Sequence, residues 1–209
     1  MSLIFRFLDW QLERTFLGAL KAVLAELEVS DSAVTLATVR IRAMALFDAS
    51  RALILDKPGA RSIRHCALAL AAYRELNKIT GDRTKAWQLV KQALLRPQKS
   101  RVQKLMLWTM NLCRDRLALF ASISEKKQLS AYGKGFIFTK HSDNMQSYYA
   151  THVHRCLYHE FFKANGAPEL TLAFCAFDNL WGDLLQDGRY GVRFTRPTTI
   201  AAGDEMCRF

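Results

Sequence analysis

The chain has 209 residues, half of them hydrophobic and 23% charged, with a formal net charge of +11 at pH 7, which is enough apolar material for the core of one domain or two small ones. Charged residues interrupt every hydrophobic segment before the roughly 18 apolar residues a spanning helix needs, and Arg6, Asp9, Glu13 and Arg14 fall where a signal peptide needs an unbroken apolar run. No membrane span and no secretory leader are therefore expected, and a cytoplasmic location follows; five cysteines spaced 47, 43, 19 and 32 residues apart, with no CxxC pair, read as thiols rather than a disulfide framework.

In chain order, residues 3–28 carry Leu3, Phe7, Trp10, Leu17, Leu20 and Leu24 near a 3.6-residue period and predict an amphipathic helix. Ser30 or Asp31 caps a second helix to about Leu55, which Pro58-Gly59 ends. A third covers about Ala60 to Ile79, with Gly81 as its stop, and Asp82 or Thr84 opens a fourth up to Leu95. Pro97 separates this one from a fifth, about Lys99 to Ser122. Trp10, Trp87, Trp108 and Trp181 lie in helical patterns and read as packing residues.

Beyond residue 125 the pattern changes. Gly133 and Gly135 precede FIFT, and a turn at SDN leads into SYYATHVHRC, so a strand pair is expected. LYHEFFKANG reads as a short helix stopped by Gly166, and PELTLAFCAFDNLWGDLL as another with Pro168 in its first turn. YGVRFTRPTTIAAGDEMCRF reads as two strands about the AAGD turn. The fold class expected is α+β: a helical region over 1–125, about five helices, packed as one compact unit on an α+β module over 126–209 with a small antiparallel sheet and two helices.

Charge follows the same division. Residues 1–140 hold 24 Lys and Arg against 11 Asp and Glu, whereas 141–209 hold 6 against 8. Arg83 to Lys104 has seven basic residues and no acid; these lie among apolar positions at helical intervals, so a solvated helix face is preferred to a phosphate or lipid surface, and nucleic acid is not an expected partner. No GxGxxG, Walker loop or GxSxG occurs, which removes support for nucleotide binding and serine-hydrolase chemistry.

The chemistry-bearing stretch is HVHRCLYHEFFKANGAPELTLAFCAFD, residues 152–178. Along a strand over 149–157, His152, His154 and Cys156 share one face. Along a helix over 168–185, Cys175 and Asp178 share another. Cys207, on the last strand, can lie beside them in an antiparallel module. Two chemistries fit. Cys156 as nucleophile, His154 as acid and base and Asp178 as its orienting carboxylate form one set. His152, His154, Cys156 and Cys207 as zinc ligands form the other. A plain core role competes with both, because free cysteines are commonly buried; His65-Cys66 and Cys113 read that way.

The runs RCLYHEFFKANGAPELTLAFCAFD and VRFTRPTTIAAGDEMCRF resemble the L-2-amino-thiazoline-4-carboxylic acid hydrolase family, through Cys156, the Gly166 to Leu170 turn, Phe174-Cys175 with Asp178, Gly203-Asp204, Cys207 and Phe209; CALALAAYRELNKITGDRTKAWQLVKQAL is similar to its helical portion. The resemblance implies a thiol-dependent hydrolase that opens a small cyclic amidine or related N/S heterocycle, with Cys175, Cys207, His152 and Glu169 lining the pocket. Arg193 or Arg196 is expected to meet a substrate carboxylate. No cofactor is expected, zinc being the alternative. A related ring-forming or ring-opening enzyme of specialised metabolism and a non-catalytic small-molecule binding module are the other readings, with residues 1–59 available for a homodimer.

Overall fold

The computed structural model describes residues 3–143, 147–185, 188 and 190–209, and the side chains of all of these except 3–12, 97–103, 106, 129, 178, 181 and 184. The fold is α+β, with helices α1 (Leu3–Glu26), α2 (Ser32–Ala49), α3 (Lys57–Thr80), α4 (Arg83–Leu112), α5 (Arg116–Lys127), α6 (Leu157–Ala164) and α7 (Leu170–Gly182). Strands β1 (Ile137–Ser142), β2 (Tyr149–Arg155) and β3 (Cys207–Arg208) form an antiparallel sheet in the order β1-β2-β3. No described helix is long and apolar enough to cross a membrane.

Helix ends follow local chemistry. Gly81 closes α3 in the left-handed conformation, φ 67°, and its N–H donates to the Asn77 carbonyl. One residue later the Asp82 carboxylate caps α4 by accepting from the amides of Thr84 and Lys85. The second expected helix stops early, at Ala49, and a single 3-10 turn follows over Arg51–Leu53. Pro58-Gly59, expected as its terminator, instead opens α3: Asp56 caps that helix by accepting from the Gly59 amide at 2.7 Å. Proline is at home in a first turn, where its missing N–H has no intrahelical partner to lose. Asp56 also accepts from the Lys134 amide at 2.6 Å, which ties the start of α3 to the turn entering the sheet. Gly133 there has φ 70°, and a side chain on it would collide with that carboxylate.

Two further expectations are corrected. α4 runs unbroken through Pro97, so the fourth and fifth predicted helices are one. The break falls at Cys113 to Asp115, and the Asp115 side chain caps α5 by accepting from the Ala118 amide. An interior proline removes a single helical hydrogen bond and need not end a helix whose other positions favour it. The C-terminal segment is mostly irregular: only Cys207–Arg208 form a strand, with an isolated bridge between Thr198 and Arg208. Pro197 has no N–H for a ladder, and a tight turn follows, with Gly203 at φ 100° and the Asp204 carboxylate accepting from the Thr199 amide.

A single apolar core joins helices and sheet. Leu20, Val23 and Leu24 of α1, Ile63, Leu70 and Leu76 of α3, Val90 of α4, Phe161 and Phe162 of α6, Leu170 of α7 and Cys207 of β3 belong to it. The amphipathic patterns put the apolar faces of α3 and α6 against each other, and that contact carries the start of α6 into the interior. Of the tryptophans read as packing residues, Trp87 packs against this core, Trp108 stands 62% exposed, and the side chains of Trp10 and Trp181 lie outside the described residues. In the basic stretch Arg83 pairs with Glu169 and Arg96 with Glu26, so part of the positive charge serves internal ion pairs.

Candidate active site

Cys156 is the residue on which β2 turns into α6. It is the N-cap of that helix, with extended backbone angles, φ −120° and ψ 109°. The N–H groups of Tyr158 and His159 act on its sulfur from the first helical turn. Those amides favour the thiolate, as helix N-termini do for cysteines generally. Burial acts more strongly in the other direction and, with Cys175 and Cys207 adding to it, holds the thiol up at about 12.

Cys175 of α7, Cys207 of β3 and Cys66 of α3 surround it closely enough to influence ionisation at this spot. The five cysteines are all thiols outside any disulfide. Cys66 is fully enclosed, and burial raises its pKa far above the ordinary thiol range. Cys207 is buried and its sulfur accepts from the Ile200 amide at 3.3 Å. Cys156 and Cys175 are half-buried. Cys113, read as core, is also half-buried, in the α4–α5 connection, where its thiol donates to the Asp115 carbonyl.

An aromatic wall continues from the thiols. The Tyr158 ring packs 5.0 Å from Phe136 and 5.1 Å from Phe174, and Phe174 lies 5.1 Å from the His65 imidazole. Burial lifts the Tyr158 phenol well above its usual range, with Tyr132 and Cys66 acting the same way and a hydrogen bond with Ser62 opposing them. Burial also lowers His65 to about 4, so its imidazole is neutral at pH 7. Cys156, Tyr158 and His65 keep accessible surface, although desolvation dominates their ionisation. Side chains with both properties line a recess: they are neither sealed in a core nor standing on an open face.

Arg196 lies at this recess. Its guanidinium donates to the Cys175 carbonyl at 2.8 Å and to Asn179 Oδ1 at 2.8 Å, and it sits 5.7 Å from the centre of the Phe209 ring. Arg193 is exposed. Asp178 belongs to α7, three residues beyond Cys175, but its side chain lies outside the described residues.

The histidines of the HxHxC stretch do not join the thiols through strand alternation, because β2 ends at Arg155 and Cys156 turns into the helix. Thr151 and Val153 take the buried face of β2, and His154 is exposed, its Nε2 meeting Thr139 Oγ1 at 2.9 Å. His152 is half-buried beside His141, ring centres 4.3 Å apart. Burial, His141, Arg208 and His154 all lower its pKa. Cys207 pairs with Val153 on the inward side, so the zinc set expected from the sequence is divided between two sides of the sheet. Among the described residues no three ligating side chains stand in a metal-binding array.

Glu169 is placed as a clamp. Its Oε1 accepts from the Tyr73 hydroxyl at 2.8 Å and from Arg83 at 2.7 Å, while its backbone carbonyl accepts from the Trp87 indole at 3.0 Å. It thereby fixes the start of α7 on α3 and α4. Burial alone would raise its carboxyl, but the bonds from Arg83, its own backbone amide and Tyr73 outweigh it and lower the pKa. Stability from this depressed group is fully present above the unfolded carboxyl value and is lost as pH falls through the folded one. Glu169→Ala is expected to destabilise the protein by about 1–3 kcal/mol at pH 7 and to do so much less at acid pH. Thermal unfolding of the variant and the parent across pH 3–7 measures both effects.

Sequence reasoning missed Tyr158 and Ser62 and took His65 as core. RCLYHE placed Tyr158 two residues past Cys156, but only the turn into α6 shows that both reach the same recess. A family model described as L-2-amino-thiazoline-4-carboxylic acid hydrolase matches residues 60–209, which include every residue of the recess named above. No curated protein and no solved structure matches the chain. With well over half its length matched, from the Ala-rich α3 to the closing phenylalanine, the chain belongs to the L-2-amino-thiazoline-4-carboxylic acid hydrolase family.

Proposed function

We propose that this protein hydrolyses a small cyclic amidine of the 2-aminothiazoline-4-carboxylate type, with Cys156 as the nucleophile. The observation that carries this reading is the position of Cys156 at the N-terminus of α6, half-buried in a recess it shares with Cys175 and Cys207. A merely structural thiol needs no helix N-terminus and no exposure.

A thiol held near 12 is almost wholly protonated at neutral pH, so it needs a proton acceptor at the moment of attack. The amidine provides one itself. Its ring nitrogen takes the Cys156 proton as sulfur adds to C2, and the amides at the start of α6 stabilise the charge on sulfur meanwhile. The C2–S bond of the ring then breaks, and the departing sulfur takes a proton to become a thiol. This leaves an S-linked isothiourea on Cys156. Water adds at the same carbon, Cys156 leaves with its proton restored, and the carbon becomes the carbonyl of N-carbamoyl-cysteine. One water is consumed and no redox change occurs. Tyr158 and the neutral His65 border the recess and limit its water, while Arg196 is the cation for the substrate carboxylate. His154 has no part in this scheme, because it is hydrogen-bonded to Thr139 on the exposed face of the sheet.

Incubating the purified protein with L-2-aminothiazoline-4-carboxylate and following product by mass spectrometry tests the reading. Ring opening that persists with a chelator present is expected. Saturable binding with no conversion would replace it with a non-catalytic binding pocket, and loss of conversion on chelation would replace it with a metal-dependent reaction.

A further inference from the structure

On the side of the sheet away from the Phe138 and Val153 core contacts, three of the chain's five histidines gather. The β1–β2 register sets Thr139 opposite His152 and His141 opposite Ala150, which brings His141, His152 and His154 to one face. The His141 and His152 rings are 4.3 Å apart and the His152 and His154 rings 6.5 Å apart. Thr139 Oγ1 lies 3.2 Å from His141 Nε2 and 2.9 Å from His154 Nε2, so two ring nitrogens from adjacent strands converge on one hydroxyl.

We propose that His141, His152 and His154 form a binding site for a late first-row divalent cation such as Zn²⁺ or Ni²⁺, on the solvent face of the sheet and separate from the thiol recess. Imidazole nitrogen suits these borderline ions and not hard Mg²⁺ or Ca²⁺. Two histidines two residues apart on β2 point the same way, and the third comes from the neighbouring strand, so the backbone already meets the spacing requirement. The rings do not yet surround a common point; His141 and His154 are exposed, and rotation of their side chains away from Thr139 supplies the missing adjustment. The depressed ionisation of His152 acts in the same direction, since only neutral imidazole ligates. Three nitrogen donors leave further positions on the ion for water or for a side chain of another molecule.

Calorimetric titration of protein carrying no affinity tag with NiCl2, ZnCl2 and MgCl2 tests the site. One equivalent of Ni²⁺ or Zn²⁺ per chain and no Mg²⁺ are expected. Affinity for Ni²⁺ should fall roughly tenfold or more in His152→Ala and vanish in the His141→Ala/His154→Ala double variant. A Cys156→Ser/Cys207→Ser variant should bind Ni²⁺ as the parent does. Paramagnetic Ni²⁺ should broaden the amide resonances of 141, 152 and 154 before any others, which reads the site without any substitution. Uptake unchanged by the histidine variants, uptake lost with the cysteines, or no saturable uptake at all would each overturn the proposal.

Discussion

Replacing Cys156 by serine is expected to lower kcat/KM for ring opening by about a thousandfold or more, while the circular dichroism spectrum and thermal unfolding stay close to the parent's. Serine keeps a polar group at the helix cap and the volume of the site, so a folding defect is not expected to confuse the reading. What it lacks is a sulfur able to attack C2 and to leave again when water arrives. Cys66→Ser, by contrast, puts a hydroxyl into a fully enclosed site and is expected to lower stability more than turnover. His154→Ala is expected to change kcat/KM by no more than about threefold, since an exposed ring bonded to Thr139 contributes neither transition-state contact nor core packing. If His154→Ala were as damaging as Cys156→Ser, the acid and base role read from strand alternation would return and the proton path through the substrate amidine would be wrong.

Arg196 carries the second large effect. Arg196→Gln is expected to raise KM by about one to two orders of magnitude with a smaller change in kcat, as loss of a charge-assisted contact to a carboxylate remote from the breaking bond should. Arg193→Gln, at an exposed position, is expected to leave KM within a factor of about three. The two arginines were equivalent candidates in the sequence. They separate in the fold because Arg196 reaches the Cys175 carbonyl and Asn179 on α7, so its head is already oriented at the recess. A substrate analogue without the carboxylate supplies the control: parent and Arg196→Gln should then show the same KM. Equal KM changes for the two variants with the carboxylate substrate would remove Arg196 from binding.

The pH profile follows from the same ionisations. With Cys156 held near 12 and the amidine acting as proton acceptor, the reactive pair is neutral thiol with neutral amidine. The acid limb of kcat/KM then belongs to the substrate, and the thiol imposes no limb of its own below about pH 11. A limb near neutrality in kcat/KM that is absent from the titration of the free substrate would point instead to a cysteine already activated by a neighbouring base.

The helical part was legible where a single residue carries a strong local rule. Gly81 and Asp82 ended one helix and began the next as their backbone and capping preferences require, and the alternating apolar pattern of SYYATHVHRC did give a strand. Proline misled twice, in opposite ways. Pro58 was read as a terminator and is a first-turn residue behind Asp56, and Pro97 was read as a boundary and lies within α4. Local rules state only that an interior proline costs a hydrogen bond; whether the rest of the helix outweighs that cost depends on packing.

The site was legible in its thiols and not in its histidines. The spacing of Cys156, Cys175 and Cys207 was read correctly as one constellation because a family resemblance connected them; nothing in the period of β2 leads to α7 or β3. Strand alternation placed His154 beside Cys156 on the assumption that β2 continues through residue 157. It ends two residues earlier, and the turn into α6 separates the two side chains. Tyr158 and His65 escaped notice for the converse reason: an aromatic and a histidine on apolar helix faces look like core, and only the meeting of α3, α6 and α7 exposes one edge of each.

The most direct test of the account is a rapid acid quench of the parent enzyme during turnover of L-2-aminothiazoline-4-carboxylate, followed by intact-protein and peptide mass spectrometry. Addition of the thiol to C2 followed by ring opening retains every atom of the substrate, so the account predicts a protein heavier by one whole substrate molecule, with the adduct on the peptide bearing Cys156 and absent from Cys156→Ser. Turnover with the adduct on Cys175 or Cys207, or undiminished turnover by Cys156→Ser with no adduct anywhere, would contradict it.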